Sequence, residues 1–107
     1  MDGVFGSLVV RQPAVVEKNT FLYKYDLSEH VILINDWMHE EATARFPGRN
    51  EQQPISQLPE SILINGKGIY TNRTSGVTTD TPVSVFVVEP HRRYRFRLIN
   101  AFCTVCP

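Results

Sequence analysis

The sequence predicts an all-β protein, and three observations support that prediction. Short runs of β-branched and aromatic residues recur along the chain, and such residues favour a pleated, half-buried strand. Proline, glycine and asparagine separate these runs and mark turns. A helical pattern occurs only at Met38–Phe46, where Asp36 caps the first turn and Pro47-Gly48 ends the last one. The predicted class is therefore all-β with one short helix.

Five strands are predicted from these runs: Val4–Arg11, Glu29–Trp37, Ser61–Ile64, Pro82–Val88 and Arg92–Asn100. In the last strand the predicted core face carries Tyr94, Phe96 and Leu98, and the opposite face carries Arg93, Arg95 and Arg97. The arginine face is expected to be solvated or paired with acids. Residues 14–28 are expected to form an extended connection whose aromatic side chains hold it to a surface. Asn65-Gly66 predicts a tight turn.

Charge and hydropathy exclude two classes of partner. Eleven basic and eleven acidic residues give a net charge of zero, whereas binding nucleic acid or an anionic membrane through the overall field requires a basic excess. The basic and aromatic run at Arg92–Arg97 is therefore interpreted as a strand rather than a nucleic-acid site. No apolar run approaches the ~18 residues of a membrane span. The opening Met1-Asp2-Gly3 does not have the pattern of a signal peptide.

Local catalytic and metal motifs are incomplete. His39-Glu40 begins an H-E-x-x-H zinc pattern, but Thr43 occupies the position of the second histidine. Gly66-Lys67-Gly68 has no third glycine and opens no predicted helix, so a turn explains it better than a phosphate-binding loop. His30 and His91 have no neighbour at ligand spacing. The chain is therefore predicted to carry no catalytic residue and no metal ligand.

Two further features depend on where the protein resides. Asn72-Arg73-Thr74 is a valid N-glycosylation acceptor in a polar loop, and it has meaning only in a secreted protein. Cys103 and Cys106 have redox-motif spacing, but no strand-to-helix unit of the thioredoxin type accompanies them. For this pair, two interpretations remain: the cysteines form a disulfide, or they are buried free thiols.

Four sequence blocks, in order, resemble the laccase-type multicopper oxidases, most closely the animal laccases. The blocks are Asp2–Arg11, Asn35–Glu40, Ser61–Gly68, and Val88-Glu89-Pro90 with Tyr94–Ala101. The similarity of each block alone is weak. Four blocks that occur in the family's order over nearly the whole chain make the resemblance specific.

The resemblance implies a parent protein with three cupredoxin domains, each a Greek-key β-sandwich or barrel. Residues 1–13 would then be the last strand of the first domain, residues 14–27 the interdomain connection, and residues 28–107 the N-terminal part of the second domain. The expected fold is an incomplete cupredoxin-like sandwich that packs on the missing parts of its own chain.

The resemblance also implies a secreted oxidase that takes single electrons from diphenols or other aromatic reductants. A mononuclear copper and a trinuclear cluster, four copper ions in all, would pass the electrons to dioxygen and form water. Family copper ligands lie in His-X-His pairs and a His-Cys-His stretch, and this sequence contains neither. The expected role of the chain is therefore structural, and the isolated chain is expected to be inactive.

In fungal laccases a cysteine at the position of Cys103 bonds back to the residue just before the Asp-Gly, which is Met1 here. That bridge is not available, and a disulfide between Cys103 and Cys106 or with another partner stays open.

Two alternatives to a laccase fit the same sequence. One is another multicopper oxidase, of the ferroxidase or ascorbate oxidase type. The other is a non-catalytic secreted β-sandwich that binds partners. His-X-His pairs elsewhere in the protein would distinguish either oxidase from the binding module.

Overall fold

A computed structural model describes residues 3–39, 41 and 59–102 of the chain. A short 3-10 helix at Ser28–His30 leads into β1 (Val31–Trp37), which is followed by β2 (Ser61–Ile64) and β3 (Arg97–Asn100). The strands form one open sheet in the order β2-β1-β3. This strand-rich architecture confirms the incomplete, cupredoxin-like all-β class. In the part of the chain described, no helix is long and apolar enough to cross a membrane.

β1 is the central strand because branched aliphatic residues at its start favour extended backbone and a buried position. Leu33 and Asn35 face inward and are 7% and 3% exposed. β1 pairs antiparallel with β2, which places Asp36 opposite Ile62. It pairs parallel with β3 on its other side. The predicted strands around β1 and β2 are therefore confirmed.

The Asn65-Gly66 turn that closes β2 is also confirmed. Both residues have positive φ, 51° and 75°, as a type I′ hairpin turn requires. The N–H of Ile64 donates to the carbonyl of Lys67 at 2.8 Å, and the reverse bond measures 3.1 Å. Left-handed backbone is tolerated by asparagine and favoured by glycine, which explains this dipeptide at the turn.

The Asn65 side chain continues the pairing of β1 beyond the end of β2. The N–H of Leu33 donates to Asn65 Oδ1 at 2.8 Å, and Asn65 Nδ2 donates to the carbonyl of Val31 at 2.9 Å. The backbone N–H of Asn65 donates to the carbonyl of Leu33 at 2.9 Å. The turn is therefore attached to the edge of the central strand by three hydrogen bonds.

The strands predicted at Val4–Arg11 and Pro82–Val88 are not formed among the described residues. Neither segment joins a ladder, and Val4 and Val85 are 89% and 77% exposed. β-Branched residues favour extended backbone, but a strand also needs a neighbour with which to exchange hydrogen bonds. The described residues do not supply that neighbour.

The predicted strand at Arg92–Asn100 is shorter in the structure and is limited to β3. Its predicted core face is only partly correct, because Leu98 is 73% exposed. The helix predicted at Met38–Phe46 lies largely outside the described residues.

Candidate functional site

Two arginines next to and within β3 attach the connecting segment, residues 14–27, to the sheet. Arg97 binds Asp26 through two hydrogen bonds, from Nε to Oδ1 at 3.1 Å and from Nη2 to Oδ2 at 2.6 Å. Arg95 Nη1 donates to Glu17 Oε1 and to the Tyr23 hydroxyl at 2.9 Å. That hydroxyl donates in turn to Glu17 Oε2 at 2.8 Å. We call these five residues the arginine clamp.

Backbone and ring contacts follow the same path as the arginine clamp. The N–H of Lys24 donates to the carbonyl of Arg93 at 3.0 Å, and the N–H of Arg95 donates to the carbonyl of Tyr25 at 2.9 Å. The Tyr25 ring stacks on Tyr94 with 5.0 Å between centroids. Two sequence predictions are thus confirmed. Arg95 and Arg97 on the arginine face pair with acids, and aromatic side chains hold the connecting segment to the sheet. The expected extended backbone is not found throughout, because residues 14–16 and 18–22 form turns.

The arginine clamp shifts the pKa of its carboxyl groups downward. The hydrogen bond from Tyr23, followed by that from Arg95, lowers the pKa of Glu17. The hydrogen bonds from Arg97 lower the pKa of Asp26. A carboxyl whose pKa is lower in the folded state stabilises the fold above its ordinary pKa, and this stabilisation is lost as the pH falls through the lowered value.

We therefore expect the arginine clamp to release in acid. The stabilising effect should be complete at neutral pH and should decline below the ordinary pKa values of 4.5 for Glu17 and 3.8 for Asp26. Asp26→Asn should lower the thermal midpoint of the full-length protein at pH 7, and its difference from the unmodified protein should shrink as the pH falls through the lowered pKa of Asp26. Glu29→Gln, which alters an exposed acid outside the clamp, is the control. A constant difference in midpoint between Asp26→Asn and the unmodified protein at every pH would contradict this expectation.

A cleft of about 390 Å³ lies beside the paired ends of β1 and β2. Its walls include Gly3, Phe5, Trp37, His39, Ser61 and Tyr70, and we call it the aromatic cleft. The His39 and Tyr70 rings lie 3.6 Å apart between centroids. The backbone N–H of His39 donates to Glu60 Oε2 at 3.0 Å. These contacts fix the chain after β1 against the start of β2.

His39 and Ser61 approach each other but do not form a nucleophile and base. His39 Nε2 lies 3.3 Å from Ser61 Oγ, while that hydroxyl donates to the carbonyl of Ile69 at 3.2 Å. The proton of Ser61 is therefore engaged elsewhere, and the hydroxyl accepts from the imidazole instead of losing a proton to it. This pair is a structural contact in the wall of the aromatic cleft.

The opening segment of the chain reaches the aromatic cleft at Trp37. Gly3 has φ of +94°, and a Cβ placed there would lie 3.3 Å from Trp37 Cη2. The Phe5 ring meets the Trp37 ring edge to face, with 6.4 Å between centroids. Glycine is required where an indole approaches a left-handed backbone this closely. The first two sequence blocks of the family resemblance therefore meet at this point.

His30, which showed no notable neighbour in the sequence, is fully buried with 0% exposure. Its ring contacts Tyr94 edge to face at 5.0 Å and Phe96 at 4.7 Å between centroids. Its Nε2 lies 3.1 Å from the carbonyl of Val87, and Nδ1 has no hydrogen-bond partner among the residues that the structure describes. Only the folded structure shows this burial, because the contacting residues lie far away in the sequence.

The remaining candidate residues lie in turns or outside the residues that the structure describes. Asn72 is half-buried, and its Oδ1 accepts the N–H of Thr74 at 2.8 Å and of Ser75 at 3.1 Å. Cys103 and Cys106 lie outside the described residues. Across residues 3–39, 41 and 59–102, no three His, Cys, Asp or Glu side chains come together as a metal site.

Comparisons with known proteins give one consistent result. The family model described as multicopper oxidase matches residues 28–105. Laccase-2 of Fomitopsis schrenkii is 40% identical over 95% of this chain and 16% of its own length. Laccase-2 of Pleurotus ostreatus is 36% identical over the same shares, and Laccase-4 of Thanatephorus cucumeris is 35% identical over 94% of this chain and 18% of its own.

The chain thus spans about a sixth of the length of the curated relatives it matches. These relatives are fungal, so similarity to the animal laccases in particular stays a prediction. No solved structure matches the chain.

Proposed function

Since this chain belongs to the multicopper oxidase family, we propose that it forms the junction between two domains of a laccase-like enzyme. The parent enzyme oxidises diphenols or other aromatic reductants in one-electron steps and reduces dioxygen to water with copper. The laccase relatives support this activity. The chain itself supplies packing and positioning.

The arginine clamp is the observation that best supports a junction. It holds residues 14–27 to the β3 side of the sheet through charge-assisted hydrogen bonds, which are stronger than neutral ones. Gly3 and Phe5 contact Trp37 on the β2 side. We propose that residues 1–13 belong to the first cupredoxin domain and residues 28–107 to the second. The family match, which begins at residue 28, supports this division.

The described residues do not fit a copper centre. A mononuclear blue copper site needs two histidines and a cysteine that converge on one point. His30 is enclosed by aromatic rings, His39 lies against Tyr70, and His91 occupies a turn with φ of 58°. We therefore propose that the copper ligands of the parent come from other parts of its sequence.

To test this function, the full-length protein is assayed with a diphenol while its uptake of dioxygen is measured. We expect diphenol oxidation with consumption of dioxygen, and blue absorption from a cysteine-ligated copper. His39→Gln and His91→Asn should keep the full copper content, because neither histidine is a proposed ligand. Loss of copper in either variant would contradict the structural role. Oxidation of ferrous iron or ascorbate without diphenol oxidation would favour the other oxidase types. Absence of both copper and oxidase activity would favour the binding module.

We further propose that the parent is secreted and carries a glycan on Asn72. The side-chain oxygen of Asn72 is engaged by two backbone N–H groups of its turn, and no hydrogen bond of its Nδ2, the nitrogen that bears a glycan, occurs with the described residues. The turn lies within the loop that the Thr71–Thr78 bridge closes, in a stretch of exposed threonines.

Removal of the acceptor sequence should remove this glycan. Thr74→Ala should abolish glycan mass on the peptide that contains Asn72, whereas Thr74→Ser should retain it, because serine also completes the acceptor. Peptide mass analysis of the secreted full-length protein measures both. An unmodified Asn72 in the secreted protein would contradict the proposal.

A further inference from the structure

The two residues of the Asn65-Gly66 turn have a structural role and are also a chemically reactive dipeptide. In an asparagine–glycine sequence, the backbone nitrogen of glycine attacks the side-chain amide carbon of asparagine more readily than in other pairs. The reason is that glycine has no Cβ to hinder the approach. The same absence of Cβ lets Gly66 adopt its φ of +75°. The sequence requirement for this tight turn and the requirement for the reaction therefore coincide.

In the folded protein the Asn65 amide is restrained by hydrogen bonds and not by burial. Asn65 and Gly66 are both exposed, and a Cβ placed on Gly66 would meet no atom of the described residues within 4 Å. Water thus has free access to the turn. Restraint comes from β1, since Asn65 Oδ1 accepts from Leu33 at 2.8 Å and Nδ2 donates to Val31 at 2.9 Å. Rotation of the amide toward the nitrogen of Gly66 requires both bonds to break.

We propose that Asn65 is a conditional modification site, protected while its amide is docked on β1 and deamidated once the turn is released. The nitrogen of Gly66 forms a bond to Asn65 Cγ and loses its proton, and the bond from Cγ to Nδ2 breaks with release of ammonia. Water then opens the resulting succinimide at either carbonyl. The products are aspartate or isoaspartate at position 65.

Either product prevents the turn from docking again. In aspartate, an oxygen replaces the Nδ2 donor and faces the carbonyl of Val31, so two acceptors meet where one hydrogen bond existed. In isoaspartate, the main chain gains a methylene within the two-residue turn between Ile64 and Lys67, which displaces the groups of residue 65 that bond to Leu33 and Val31. Deamidation therefore turns a reversible release of the turn from β1 into a permanent one.

The test compares deamidation of the full-length protein in native buffer and in urea, at the same mildly alkaline pH and temperature. Peptide mass mapping follows the replacement of the amide nitrogen by oxygen, and an isoaspartate assay identifies the second product. We expect modification at Asn65 to be about tenfold or more faster in urea, because it requires the opened turn. Asn19, followed by threonine in the exposed connecting segment, is the internal reference and should change little. Equal rates at Asn65 in both conditions, or no modification in urea, would overturn the proposal.

Two variants test the consequence separately from the chemistry. Asn65→Asp, which reproduces one product, should increase hydrogen exchange of the β1 amides at neutral pH. Asn65→Gly keeps a residue that tolerates positive φ but has no side-chain amide. Its refolding yield should not depend on the time spent in urea, whereas that of the unmodified protein should decline with time. Normal protection in Asn65→Asp, or equal decline in both proteins, would overturn the proposed loss of docking.

Discussion

Gly68→Ala is expected to lower the free energy of separating β2 from β1 by about 2–3 kcal/mol. A Cβ placed on Gly68 would lie 2.6 Å from the carbonyl oxygen of Ile62 and 2.7 Å from Leu63 Cδ2. The oxygen belongs to the backbone of β2, so it moves only if the strand moves. Hydrogen exchange of the β2 amides in the full-length protein measures the effect as faster exchange.

Two other glycines separate this clash from general effects of the substitution. Gly66→Ala meets no atom but must adopt φ of +75°, which costs about 1–2 kcal/mol for an alanine. Gly6→Ala meets nothing within 4 Å and has no positive φ, so its effect should be close to zero. The expected order of destabilisation is Gly68, Gly66, Gly6. If Gly68→Ala were no more harmful than Gly6→Ala, the close approach of the turn to β2 would be disproved.

His30→Ala is the second substitution with a large expected effect, a loss of about 3 kcal/mol in the stability of the sheet. Removal of the imidazole leaves a cavity between Tyr94 and Phe96, because the ring contacts both at 5.0 Å or less. It also removes the hydrogen-bond partner of the Val87 carbonyl. Segment 83–88 joins no ladder with the described residues, so this bond is one of its attachments to the chain that leads into β1.

A volume-conserving variant separates the two contributions at position 30. His30→Phe fills the space between Tyr94 and Phe96 but cannot bond to Val87, so about 1 kcal/mol should be lost. His91→Asn is the control, since asparagine tolerates the positive φ of 58° at this exposed turn. The rate of β1 amide exchange should rise most in His30→Ala, less in His30→Phe and little in His91→Asn. Equal exchange in all three would contradict the assignment of His30 to the core.

The parts of the fold that depend on local sequence were predictable. Val31–Ile34 has both the β-branched residues and the apolar character of a central strand, and Asn65-Gly66 has the conformational range of a hairpin turn. Alternation along Arg93–Arg97 correctly separated a charged side from an aromatic side. In each case a few neighbouring residues determine the backbone geometry.

The parts that depend on partners distant in sequence were not predictable. The alternating arginines predicted a solvated or acid-paired face, but nothing local identified Glu17 and Asp26 in the connecting segment as the partners. His30 is buried by residues that follow it by more than half of the chain. Val4–Arg11 has the composition of a strand, yet pairing depends on a neighbour that local sequence does not specify.

The parallel pairing of β1 with β3 has a consequence for synthesis of the protein on the ribosome. Val31 pairs with Arg97, so β1 leaves the exit tunnel long before its parallel neighbour has been translated. β2 arrives earlier and covers one side of β1 by antiparallel pairing, but the other side keeps its unpaired amides and carbonyls during that interval. Parallel, non-local pairing is slow to form because a long loop must close first. The nascent chain should therefore depend on chaperones that mask β1 until Arg97–Asn100 emerges, and rare codons between the two strands should lower the yield of soluble protein.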